Sequence, residues 1–140
     1  MINLGNLNRQ HDSIKSEIVI IQDELQKGSA GINLSEVALH ISKLAGFLKM
    51  HLLEEDQFLY PNLLVSTDED IRNMVNQYIQ EMGHLAEEYT IFKNKYNVGS
   101  KIKGQENVFV EEANLMIDAL KKRIDREDTG LYHIIKEKKL

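Results

Sequence analysis

Cysteine and tryptophan are absent from the 140 residues, and a single proline interrupts the chain. Without cysteine there are no disulfides, no thiolate metal sites and no thiol nucleophile. With one proline and eight glycines, long segments run without the residues that break a helix. No apolar stretch approaches the ~20 residues of a membrane span. The N-terminal MINLGNLNRQHD lacks a basic region followed by an apolar core, so no secretory leader is expected. Positive charge is also scarce. Seventeen Lys and Arg against 22 Asp and Glu leave a net charge of −5, which argues against a phosphate-binding face and hence against nucleic acid as a partner. Nucleophile–base arrangements and glycine-rich phosphate loops are missing, so no enzymatic activity follows from the residues. These absences predict one cytoplasmic domain over residues 1–140, with no membrane association.

What the chain does have is helical periodicity. Leu4, Leu7, His11, Ile14, Ile18, Ile21 and Leu25 alternate spacings of three and four, and Gly28 to Gly31 ends that stripe. Asn33 with Glu36 predicts a capped start for a second helix, striped by Val37, Ile41, Leu44, Leu48, His51, Glu55 and Phe58. Pro61 is expected to end or kink it. Ser66-Thr67 with Asp70 predicts a third helix, carrying Ile71, Tyr78, Leu85 and Phe92 down to Tyr96, and Asn97 to Gly104 reads as a loop. The fourth helix shows Phe109, Ala113, Met116, Leu120, Arg123, Glu127 and Leu131, with a bend expected at Gly130. Strand-like alternation is missing. The pattern predicts an all-α, antiparallel, up-down-up-down four-helix bundle.

Core-facing stripes should be apolar, so His11, His51, Glu55 and Glu127 need partners or a cation to offset the cost of burial. The second and fourth helices also repeat a segment. His51 to Tyr60 and Arg123 to Tyr132 share Glu-Asp-x-x-Leu-Tyr in register, and His11 and His84 precede them at matching distances. Two helical hairpins of this form, packed about a pseudo-twofold axis, would converge ligand-type side chains on the bundle centre. The competing reading is a buried polar network without metal, which is hard to satisfy completely. Asp56 and Asp128 read either as acids that hold ligand imidazoles or as surface acids, and Tyr60 and Tyr132 as packing residues.

The pattern H…H-x-x-x-E…H…[HR]-x-x-x-E, with Glu55 to Pro61 following the first ligands, resembles the hemerythrin-like (HHE cation-binding) domain family from Asn8 to Tyr132. The resemblance implies a non-haem di-iron centre that meets dioxygen or nitric oxide. It implies His11 and His51 on one iron, His84 and a helix-four histidine on the other, and Glu55 and Glu127 as bridges. Glu88 stands where the family's oxygen carriers have a second helix-three histidine, so the chain is more similar to the regulatory and stress-protection branch. Arg123 stands in place of the helix-four histidine, and a guanidinium has no lone pair to offer a metal. Either Arg123 turns to solvent and Glu81 or Glu88 substitutes as a ligand, or it lies inside as a cation for Glu127. The expectation is an asymmetric iron centre, with one metal tightly held on His11, His51 and Glu55 and a second site that is weak or empty; the alternative is a metal-free or mononuclear bundle acting as an interaction module.

Overall fold

The computed structural model describes residues 1–140 and is all-helical. Four long helices, α1 (Gly5–Leu25), α2 (Leu34–Glu54), α4 (Glu69–Tyr96) and α6 (Glu106–Arg126), form the body. They pack in a closed ring of contacts: α1 on α2 and α6, and α4 on α2 and α6. Short helices α3 (Tyr60–Leu64) and α7 (Tyr132–Glu137) extend α2 and α6, and α5 (Gly99–Ile102) lies in the connection before α6. The helix starts follow local chemistry. The Asn33 side chain accepts from the Glu36 N–H at 3.1 Å, as its spacing predicts. The third long helix is capped by Asp68, which accepts from the Asp70 N–H at 2.9 Å, and not by Ser66 or Thr67. At the end of α1 Gly28 takes a φ of +79°, a conformation that glycine adopts without steric cost.

Pro61 does not end the second helix. A π-helical turn, Glu55–Leu59, carries it on into α3, and its repeat mate, Glu127–Leu131, carries α6 into α7. The shared Glu-Asp-x-x-Leu-Tyr segment is therefore the sequence of a π turn, used twice. Each turn adds a residue to the helical repeat, so the stripe passes from Glu55 to Leu59 and leaves Phe58 58% exposed. Gly130, expected at a bend, lies within the second π turn, where the Tyr78 hydroxyl comes within 2.5 Å of the position a Cβ would occupy. Close approach of the Tyr78 hydroxyl is what requires glycine there.

The core falls into two apolar clusters. One holds Ile14, Ile41, Leu48, Met82, Tyr89 and Leu120 among others, and the second holds Leu7, Leu59, Leu63, Val75, Leu131 and Tyr132. On α1, His11 lies between residues of the two; on the second helix His51 and Glu55 do, and on the last helix Glu127. All four side chains are fully buried. A polar layer thus divides the bundle core.

Candidate metal centre

Each member of this layer arrives on a defined element. His11 comes from α1, and His51 lies one turn before Glu55, where α2 passes into the π turn. Glu127 opens the second π turn. The Nε2 atoms of His11 and His51 face each other at 3.0 Å. Glu127 Oε2 lies 3.2 Å from His11 Nε2 and 3.5 Å from His51 Nε2. Ligand atoms of His11, His51 and Glu127 all fall within 4.8 Å of one another. Glu55 Oε1 approaches His51 Nε2 at 3.1 Å, without the alignment of a hydrogen bond. The Tyr132 hydroxyl stands 3.3 Å from both His11 Nε2 and Glu55 Oε2, with its ring stacked on the imidazole of His11.

The outer ring nitrogens fix what the inner ones can do. His11 Nδ1–H donates to Asp128 Oδ1 at 2.7 Å, and His51 Nδ1–H donates to Gln10 Oε1 at 2.9 Å. An ionised carboxylate and an amide oxygen only accept, so each neutral imidazole turns its Nε2 lone pair inward. Two nitrogen lone pairs and the carboxylates of Glu55 and Glu127 then share one buried space, and Glu55 Oε1 and Glu127 Oε1 have no hydrogen-bond partner. This is an acceptor-only cluster that requires positive charge. The titration behaviour has the same origin. Burial opposes a charge on His51, but the Glu127 and Glu55 carboxylates outweigh it and raise the imidazole to about 9. Burial raises Glu55 to about 7, helped by the Glu127 charge beside it. Burial acts in the same upward sense on Glu127, but His11 and His51 hold that carboxyl down to about 2. The residues fit a metal cation: mixed imidazole and carboxylate donors, with outer-nitrogen hydrogen bonds that orient the rings. A polar cleft of about 290 Å³, lined by Asn8, His11, Asp12, Lys15, Asp128 and Lys136, lies beside His11. The largest cleft, about 590 Å³, lies against the chain termini and contains none of the layer's residues.

The opposite half of the layer differs. His84 does not reach it. Its side chain is 75% exposed and pairs with Glu88 on the surface at 2.7 Å. The buried stripe of α4 runs through Val75, Tyr78, Met82 and Tyr89, and His84, two residues past Met82, points about 200° away from it. The level of the layer on α4 falls between Tyr78 and Met82, whose neighbours belong to different clusters. Glu81 is at that level but is engaged by Arg123 Nη1 and Arg126 Nη1, and it accepts from Gln77 at 3.0 Å. Burial would raise the Glu81 carboxyl, yet Gln77, Arg123 and Arg126 hold it below the usual carboxylate range, so it stays ionised and paired. Glu88, the other expected substitute, faces solvent with His84. Arg123 takes neither of the courses expected from the sequence. It stays inside, but it pairs with Glu81 and not Glu127, donates from Nη2 to the Tyr78 carbonyl at 3.2 Å, and lies 4.5 Å above the Tyr78 ring. Of the repeat-related aspartates, Asp128 holds His11 and is itself held by Lys15 at 2.6 Å, whereas Asp56 is exposed. Tyr132, read as packing, belongs to the layer, and its only sequence signal is its place in the repeat. No pattern in the sequence marks Gln10.

Fold and layer together define a helical-bundle protein with a buried His/Glu cluster able to hold a metal cation. Residues 3–135 match the family model described as the hemerythrin HHE cation binding domain, and the chain belongs to that family. Among curated proteins and among solved structures, none matches the chain. No helix is long and apolar enough to cross a membrane.

Proposed function

We propose that this protein binds non-haem iron at one strong position held by His11, His51 and Glu127, with Glu55 alongside, and that the iron meets dioxygen or nitric oxide in a sensing or protective role. The carrying observation is the convergence of two Nε2 lone pairs and two carboxylates on one buried space while both outer nitrogens are engaged as donors. Two imidazoles and one carboxylate are the donor set typical of ferrous sites with open coordination positions. When bound, the iron supplies reversible redox chemistry and affinity for small diatomic ligands. The chain's own residues do the rest. Asp128 and Gln10 set the tautomers, Tyr132 holds Glu55 and covers His11, and the two apolar clusters exclude water from both sides. We read the four long helices as an antiparallel up-down-up-down bundle whose fourth corner, on α4, contributes no ligand. Arg123 with Glu81 fills the space that a second metal position would need, which favours an asymmetric, single-iron centre. Cytoplasmic location is part of the same proposal.

Elemental analysis after anaerobic loading with ferrous iron tests the reading. The expected content is about one iron per chain, given a donor set complete on one side only. Two tightly held irons would refute the asymmetry. No retained metal would favour the bundle as a metal-free interaction module, its carboxylates neutralised by the proton on His51.

A further inference from the structure

α2 and the π turn that follows it turn one face away from the core. Leu39, Phe47, Met50 and Phe58 are exposed there, Met50 the most at 64%. Single exposed apolar side chains are ordinary, but these four share a face with Lys43 and Glu54. Along the chain Leu39, Lys43, Phe47, Met50, Glu54 and Phe58 follow one another at steps of four, four, three, four and four residues. Such steps keep side chains on one side of an α-helix. The longer repeat of the π turn holds Phe58 on that side as well.

The order is a palindrome. Read backwards, the steps are the same, apolar residues fall on apolar residues, and Lys43 falls on Glu54. Lys43 and Glu54 lie about 16 Å apart along the helix axis, too far to pair with each other, and neither joins an ion pair within the chain. Gly46, beside Phe47, has nothing of the chain within 4 Å of the position a Cβ would take, so a second backbone can come close there. Glu54 and Phe58 also line the cleft of about 590 Å³ against the chain termini, which makes that end of the face concave.

We propose that this face pairs with the same face of a second copy of the chain, antiparallel, about a two-fold axis that crosses α2 between Leu48 and Lys49. In that register Phe47 meets Met50 of the second copy, Lys43 meets its Glu54, and Leu39 meets its Phe58 beside the cleft. Each contact is made twice. Charge selects the direction, because a parallel pairing sets Lys43 against Lys43 and Glu54 against Glu54, and like charges in contact oppose association. A self-complementary order of residues suits a second copy and has no use for an unrelated partner. One helix face from each copy is a small contact beside the ~800 Å² per partner of a standard interface, so the dimer is expected to dissociate on dilution.

Sedimentation velocity over a dilution series tests this, with circular dichroism to confirm that each variant is folded. The wild-type chain is expected to show a monomer–dimer equilibrium. Lys43→Glu and Glu54→Lys should each weaken the dimer about tenfold or more, since each sets like charges together twice. Met50→Asp, at the centre of the face, should abolish it. Leu115→Asp is the control, because Leu115 is exposed at 75% on α6, away from α2, and its replacement should change nothing. Rescue is the readout that a non-specific apolar patch cannot give. An equimolar mixture of the Lys43→Glu and Glu54→Lys chains should dimerise as the wild type does, and so should the chain carrying both substitutions. A wild-type chain that stays monomeric throughout the series overturns the proposal. So does a dimer that survives Met50→Asp, dissociates with Leu115→Asp, or fails to recover in the mixture.

Discussion

Replacing Asp128 and Asp56 by alanine, one at a time, should separate two residues that the sequence presents as equivalent. Asp128 accepts the Nδ1–H of His11 at 2.7 Å and is held from outside by Lys15 at 2.6 Å. Burial works against its charge, but Lys15 and His11 keep the carboxyl below the usual range, so it is ionised at any working pH. Removing it frees the imidazole to rotate or to take the other tautomer, which directs a hydrogen at the cation. A hydrogen bond to a charged partner contributes about 1.5–3 kcal/mol. At 1.4 kcal/mol per decade, metal affinity should fall roughly 10- to 100-fold. Asp56 is exposed and holds no histidine, because His84 is on the far face of α4, so Asp56→Ala should leave the affinity unchanged. Competition against a coloured chelator measures both variants under one set of conditions. Equal losses in the two, or none in Asp128→Ala, would refute the claim that only one half of the repeat orients a ligand.

Three further outcomes follow from the layer. Glu55→Ala should lose most of the metal while His84→Ala keeps it, since the first is buried beside His51 and the second pairs only with Glu88 on the surface; elemental analysis of the two proteins checks this. In the metal-free chain His51 is raised from 6.5 to about 9 and Glu55 from 4.5 to about 7. Their protonated forms therefore add stability that is complete below their unfolded values and is lost as pH rises through the folded ones. Melting followed by circular dichroism should show the metal-free protein weakening as pH rises from about 4.5 to about 9, first through Glu55 and then through His51. Metal-loaded protein should not weaken there, because binding has already displaced the protons; a flat metal-free profile would contradict the assignment. Gly130→Ala should destabilise by about 1–3 kcal/mol, because the new Cβ meets the Tyr78 hydroxyl. Tyr78→Phe should recover much of that loss in urea denaturation, and a double variant no better than the single would rule out the contact as the cause.

The sequence alone determined the helices, because periodicity of three and four is a local property of each segment. It also determined the polar positions His11, His51, Glu55 and Glu127, because a charged or basic residue in an apolar stripe is visible without any neighbour. The repeat was legible as well, though not its meaning. That Glu-Asp-x-x-Leu-Tyr forms a π turn, moving burial from Phe58 to Leu59, depends on backbone hydrogen bonds one residue longer than the α-helical repeat that a stripe assumes. Arg123 already marked the second half of the repeat as the weaker one in the sequence, since a guanidinium cannot ligate; only tertiary packing decided that His84 takes no part. His84 fits the spacing of the pattern but lies on the wrong face of α4, and spacing along the chain does not fix a helix's rotation about its own axis. That rotation is set by what α4 buries, Tyr78, Met82 and Tyr89, and it brings Glu81 to the layer for Arg123 to engage. Gln10 reaches His51 only because α1 lies against α2 in this register, a contact 41 residues apart in sequence.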